Sequence, residues 1–238
     1  MPSDDEIERI LVVTAHPDDV DFGSAGSVAR WTDAGIEVAY CICTNGEAGG
    51  FDESVPRSTM AEIRQAEQRA AAKVVGVTDV TFLGYPDGRL EATIELRRDI
   101  SRVIRRVRPQ RVVGQSPERN FARMYASHPD HLAAGEATMA AVYPDARNPF
   151  AHPELRDEGL EAWSVPEMYL ATAGTPDVCV EITDTFERKL DALRCHASQM
   201  TDLDGLDARI RGWNTENARA GGLPDGALAE TYLRVDTQ

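Results

Sequence analysis

The sequence predicts an α/β fold: three layers, with a mostly parallel sheet covered by helices on both faces. Two observations carry this expectation. Short apolar runs alternate with helix-patterned stretches in the order β-α-β-α-β-α-β between residues 9 and 115. Each strand-like run is also nearly continuously apolar, as a strand buried on both sides must be, whereas a strand with one wet face would alternate. Right-handed crossovers follow. In such sheets ligands bind beyond the carboxyl ends of the strands, so the residues after Thr14, Cys43, Leu83 and Gln115 are the places to look for chemistry.

Arg9 to Thr14 (RILVVT) is short, β-branched and apolar, and reads as a buried strand. Ser24 to Ala34 is helical, with Val28 and Trp31 on one face. Glu37 to Cys43 (EVAYCIC) is the second strand, and Thr44 to Thr59, polar with interspersed Gly and Pro, is a long loop. Met60 to Val75 sets Ile63, Ala66, Ala70 and Val74 at helical spacing. Val80 to Leu83 is a third strand, followed by a turn-rich segment over Gly84–Arg89. Thr93 to Val107 places Ile94, Ile100, Val103, Ile104 and Val107 on one helical face. Pro109 stops that helix, and Arg111 to Gln115 (RVVGQ) is the fourth strand. A helix over 132–143 comes next. Prolines at 144, 149, 153 and 166 then mark a long loop. Strand-like runs resume at Met168–Ala171 and Val178–Ile182, and helices follow over Thr185–Ala197 and Leu206–Arg219.

Composition narrows the partners. Among 238 residues, 40 acidic side chains face 25 basic ones, a formal net charge of −15. A nucleic acid or an anionic membrane surface needs a Lys/Arg face, which this balance disfavours. The basic residues are nearly all Arg, with Lys73 and Lys189 the exceptions, a skew that reads as coding bias. With 42% apolar residues the chain can bury a sizeable core. No apolar run reaches the roughly 18 residues of a membrane helix, and the acidic start MPSDDEIERI is unlike a secretory signal. A soluble, cytoplasmic protein is the expectation. Cys41, Cys43, Cys179 and Cys195 form no C-x-x-C pair and read as free thiols, so a bound metal would take His, Asp or Glu ligands.

Two turns concentrate the reactive side chains. Ala15-His16-Pro17-Asp18-Asp19 directly follows the first strand. Pro17 fixes its own φ and biases His16 toward extended geometry, which throws an imidazole and two carboxylates over the strand end. Ser127-His128-Pro129-Asp130-His131 comes after the fourth strand, at the mouth of a helix. Each turn alone could be an ordinary helix cap. Two His-Pro-Asp turns at the same edge of one sheet point instead to a joint site. His16, Asp19 and one of His128/His131 make a two-His, one-carboxylate set with open positions, the pattern of a catalytic metal. Asp18, Asp130 and the other histidine remain for acid–base work.

The AHPDD and HPDH turns resemble those of the PIG-L/LmbE-like family of zinc-dependent N-deacetylases. Further similar segments are Thr44-Asn45-Gly46-Glu47, Glu62-Ile63-Arg64-Gln65-Ala66-Glu67, Tyr85-Pro86-Asp87-Gly88, and Lys189–Leu193 with His196-Ala197-Ser198-Gln199. The resemblance spans residues 8–200 of one 238-residue domain; 201–238 is a C-terminal helical/strand extension on the Rossmann-like sheet. It implies that His16, Asp19 and His131 hold Zn2+, or Fe2+ or another divalent metal. Asp18 would be the general base, His128 would stabilise the oxyanion or donate a proton, and Asp130 would hold the His128 imidazole and favour its charged form. Arg64 and Asp87 match sugar-contacting positions. One departure is Val20, where the family usually has Glu; this opens the question of what supports the site there, with Asp21 nearby.

The activity implied is hydrolytic removal of an acetyl group from an N-acetylglucosamine-type amino sugar or its conjugate, by a zinc-activated water. The family also includes enzymes for sugar–thiol conjugates and antibiotics. The ligand set alone would permit an iron enzyme, and a noncatalytic metal- or sugar-binding protein can share the fold. Loops 45–59, 120–126 and 145–165 are the expected seats of specificity, and a homo-oligomer suits the architecture. Gly23–Ser27 fits no phosphate-loop spacing and reads as close helix packing. His152 reads as surface or substrate-facing, and His196 as a possible lining residue. The arginines of 97–98 and 105–108 read as a solvated face.

Overall fold

The computed structural model describes residues 6–121, 124, 127–171, 174–200 and 202–238. Its strands are β1 (Arg9–Thr14), β2 (Glu37–Thr44), β3 (Asp79–Tyr85), β4 (Arg111–Gln115), β5 (Glu167–Ala171), β6 (Val178–Glu181) and β7 (Ala229–Asp236). They form one sheet in the order β3-β2-β1-β4-β5-β7-β6. β1 to β5 run parallel, and β7 is antiparallel to both neighbours. The order reverses between β1 and β4, which makes their carboxyl ends the switch point where a crevice opens.

Alternate residues of the central strands feed two cores, the double burial that their apolar runs predict. Ile10 and Val12 of β1 and Tyr40 and Ile42 of β2 pack with Val28 and Trp31 of α1 (Asp19–Asp33) and Ala71 of α2 (Arg57–Val74). Leu11, Val13, Cys41 and Cys43 face the other way. They meet Leu96, Ile100 and Ile104 of α3 (Ile94–Val107), and Ala134 and Ala137 of α4 (Pro129–Ala140). All four cysteines are free thiols, two buried and two half-buried. A third cluster joins Leu190 and Leu193 of a later helix to Leu206, Ile210 and Leu228. No helix among the described residues is long and apolar enough to cross a membrane.

Four expectations need correction. α1 begins at Asp19 and not at Ser24, because its glycines, 23 and 26, thin the apolar pattern of a stretch that is already helical. A Cβ on Gly26 would stand 2.6 Å from Ile182 Cδ1, so the helix is packed against the residue just after β6. α4 starts at Pro129, three residues earlier than its periodicity predicts, because His128 caps it and Pro129 suits its first position. The proline-marked stretch contains a short helix, α5 (Pro153–Asp157). Finally, the arginines of α3 are not all solvated. Arg105 is buried and donates to the carbonyls of Asp145, Ala146, Asn148 and Ala151, tying that loop down.

The last elements are α6 (Phe186–Arg194), α7 (Leu203–Ala220) and β7. The strand part of the C-terminal extension, to which the pattern above assigns no bounds, is β7, and it lies inside the sheet between β5 and β6. Its Glu230 accepts from the N–H groups of Gly26 and Ser27 in α1, at 3.1 and 2.7 Å. Lys189 of α6 completes the clamp. Its Nζ lies 2.6 Å from Glu230 Oε1 and donates to the carbonyls of Asp21 and Phe22. The C-terminal strand thereby holds the helix whose first turn carries the acidic pair of the first motif.

Candidate metal and catalytic site

The first turn is built around a strained residue. Asp18 sits at φ 92° just before α1, a left-handed conformation that a non-glycine residue adopts only when its surroundings impose it. Its backbone N–H donates to Gln68 Oε1 at 2.8 Å, and its carbonyl accepts from the amides of Asp21 and Phe22. Arg64 Nη2 donates to the Asp18 carboxylate at 3.1 Å and to the Pro17 carbonyl at 2.5 Å, while Nη1 donates to Gly46 O. The His16 amide donates to Asp19 Oδ2 at 2.7 Å, and the Ala15 amide to Gln115 Oε1, linking the ends of β1 and β4.

The second turn closes over the first. His131 Nε2 lies 3.0 Å from Asp19 Oδ1 and 3.2 Å from His16 Nδ1. His16 Nδ1 in turn lies 3.4 Å from Asp19 Oδ2. A four-coordinate ion with bonds of about 2.0–2.1 Å separates its ligand atoms by about 3.3 Å, so this donor set fits such an ion. The opposite nitrogen of His16 supports the same reading: Nε2 faces Asp87 Oδ1 at 3.0 Å and Asp130 Oδ2 at 3.2 Å. Carboxylates there take the ring N–H and leave Nδ1 as the lone pair, the usual support for a metal-binding histidine.

The electrostatics are those of a cation site. Burial disfavours charge on His16, yet Asp19, Asp130 and Asp87 together push its pKa up to about 12. Burial also opposes ionisation of Asp19, but His131 and His16 hold it well below the usual carboxylate range. Asp18 moves the other way: burial raises it to about 6 against the pull of Arg64.

His128 stands edge-on to His16, with ring centroids 4.9 Å apart. The expected Asp130–His128 carboxylate contact is absent among the described residues. Instead the Asp130 amide donates to His128 Nδ1 at 3.2 Å. The Asp130 carboxylate turns to His16 and to the amides of Gly88 and Leu90. Burial, with His16 and His131 alongside, lowers the His128 pKa. His128 is therefore disposed to be neutral with its proton on Nε2, unlike the charged form expected of it, and one of its ring nitrogens lies within 4.8 Å of those of His16 and His131.

Residues 11–142 match the model of the PIG-L family, described as GlcNAc-PI de-N-acetylase. A diacetylchitobiose deacetylase from Thermococcus kodakarensis is 32% identical over 83% of this chain and 72% of its own length. The chain belongs to the PIG-L family. A probable N-acetyl-alpha-D-glucosaminyl L-malate deacetylase 2 from Bacillus cereus is 33% identical over 85% of this chain and 89% of its own. The solved N,N'-diacetylchitobiose deacetylase from Pyrococcus horikoshii superposes with a TM-score of 0.89 at 28% identity, over 98% of this chain and 85% of that one.

Within this PIG-L chain the structure also locates the residues around the turns. Arg64 and Asp87 are near each other, Nη1 to Oδ2 at 3.7 Å, on the polar side of the site. Val20 is buried in the apolar core. Asp21, fully buried, accepts from Gln68 Nε2 and pairs with His196 Nε2, each at 2.8 Å. Gln68 thus links Asp21 to the Asp18 backbone. His196 supports this chain from behind and does not line the site. His152 is not free: its Nε2 pairs with Asp145 Oδ2 at 3.1 Å. Of the expected specificity loop 120–126, residues 122, 123, 125 and 126 lie outside the described residues. Gln68, Gln115 and Glu230 carry no motif that would single them out, and the segment that begins at Lys189 gives that residue no role; all four act through contacts distant in the chain.

Proposed function

We propose that this chain is a zinc-dependent N-deacetylase that removes the acetyl group of an N-acetylglucosamine-type amino sugar or its conjugate. One observation supports the reading: His16 Nδ1 and His131 Nε2 lie 3.2 Å apart and each has one oxygen of the Asp19 carboxylate within 3.4 Å, Oδ2 for His16 and Oδ1 for His131, with a His128 ring nitrogen also within 4.8 Å of the two imidazoles and Asp18 beside them. The relatives, deacetylases of diacetylchitobiose and of a glucosaminyl malate, support the substrate class.

Held by those three ligands, a zinc ion supplies an acidified water and a polarised carbonyl. The rest of the reaction falls to the chain. Asp18, with its pKa near 6, is a carboxylate at neutral pH and takes the proton of the attacking water, a contribution of typically about 10²–10⁴-fold. Arg64 and the left-handed turn hold it in place. His128 donates from Nε2 to the carbonyl oxygen as negative charge develops there. The same Asp18 carboxyl returns its proton to the departing amine. Asp130 and Asp87 hold His16, and Arg64 and Asp87 offer polar partners for sugar hydroxyls on the Asp18 side.

The test combines metal analysis with acetate release from a panel of N-acetylglucosamine conjugates. The wild-type protein is expected to carry about one zinc per chain and to release acetate. Asp18→Ala should keep the zinc and lose turnover. A zinc-loaded protein silent on the whole panel, or an Asp18→Ala variant at wild-type rate, would overturn the reading.

A further inference from the structure

A cavity of about 620 Å³ opens beside the metal ligands. It shares the side chains of Asp19 and His131 with the site and runs between α1, the ends of β1, β4 and β5, and α7. Val12, Val20, Phe22, Val113, Ala171 and Trp213 give its wall an apolar character. Several of its polar groups are engaged within the protein. Glu230 is taken by Gly26, Ser27 and Lys189. Gln115 accepts from Ala15, and the amides of Asn214 and Asn217 donate to the carbonyls of Ile210 and Ala229.

Asp18, Arg64 and Asp87 are not part of this wall. Building on the proposed deacetylase reading, the amine nitrogen must reach Asp18 to recover its proton, so the sugar lies on that polar side. The carbon substituent of the carbonyl then points the other way, toward the cavity. An acetyl methyl needs almost none of its volume, which falls in the range of about 300–1,000 Å³ that holds whole small ligands. We infer that this cavity is an acyl subsite and that the enzyme accepts N-acyl amino sugars with chains well beyond acetyl.

The experiment compares N-acetyl, N-butyryl and N-hexanoyl derivatives of one glucosamine conjugate, following release of the free amine by the zinc-loaded enzyme. Burial of two further methylenes predicts a kcat/KM about tenfold higher for butyryl than for acetyl. Gly23→Leu tests the location. A Cβ on Gly23 meets only Ala171 Cβ, at 4.0 Å, so the new side chain grows into the cavity without a clash and suits a helix. It should lower the hexanoyl-to-acetyl ratio of kcat/KM by at least tenfold.

Acetyl release with kcat/KM falling tenfold or more on butyryl overturns the subsite and leaves the deacetylase reading standing. An unchanged chain-length ratio in a folded Gly23→Leu variant overturns the location. Release of no amine from any derivative overturns both readings, whereas release from the longer chains alone supports the subsite.

Discussion

The Lys189–Glu230 pair offers the most direct test of how the sheet supports the site. Both side chains are buried, at 0% and 2% exposure. The ammonium is used three ways: Glu230 Oε1 at 2.6 Å, Phe22 O at 2.7 Å and Asp21 O at 3.1 Å. Glu230 also accepts from the Gly26 and Ser27 amides and from the Tyr232 hydroxyl. Lys189→Met keeps the volume and removes the charge, stranding a buried carboxylate and two carbonyls. Breaking such a pair costs about 3–5 kcal/mol. For a chain of this length each kcal/mol moves Tm by about 2–4 °C, so thermal unfolding of Lys189→Met should fall by about 6–20 °C. Adding Glu230→Gln removes the stranded charge and should recover part of that loss, because contacting residues do not behave additively. A shift under about 2 °C, or a double variant whose loss equals the sum of the singles, would refute the clamp.

Other perturbations address the site and its packing. Because Asp18 must be ionised to act as a base, kcat/KM should rise with pH and level off no higher than about 6, where burial places its pKa; a cation at Asp19 can only pull that limb lower. A rate still climbing tenfold per unit above pH 7 would exclude Asp18. Asp130→Asn removes a carboxylate facing His16 Nε2 and should weaken zinc affinity about 10–100-fold in a competitive chelator titration. Gly26→Val forces its side chain into Ile182, an overpacking cost of about 1–3 kcal/mol that should lower Tm by about 2–12 °C. An unchanged Tm would contradict that packing.

The residues readable in advance are those whose partners are near in sequence. Arg9–Thr14 and Arg111–Gln115 are strands at the expected bounds, because a run apolar on both faces has one use in an α/β sheet. The two turns were equally legible, each packing its imidazoles and carboxylates into five residues. β7 was not. Its sequence AETYLRVD alternates charged and apolar positions and looks half exposed, yet Glu230 and Tyr232 are buried. The charge is tolerated only because Lys189, distant in the chain, answers it. The partner of the Asp130 carboxylate, His16, is likewise distant in the chain. The resemblance implies an Asp130–His128 pair, but the first turn of a helix places the Asp130 amide, not its carboxylate, against the capping residue.

The chemistry rests on how differently the structure treats four neighbouring carboxylates. Asp19 has two imidazoles against it and is held ionised, which suits a ligand. Asp87 and Asp130 are also held below the usual carboxylate range despite their burial, with His16 favouring the charged form of each; they serve as acceptors for the His16 ring. Asp18 alone is raised, because burial outweighs the guanidinium of Arg64. A carboxyl poised near 6 can take a proton at neutral pH and give it back within one turnover, whereas its lower-pKa neighbours would take one up far less readily. Environments that push neighbouring titratable groups apart assign acid, base and ligand roles. The division between Asp18 and Asp19, adjacent in sequence, follows from the left-handed backbone at Asp18: one carboxylate turns toward Arg64 and the other toward His16 and His131.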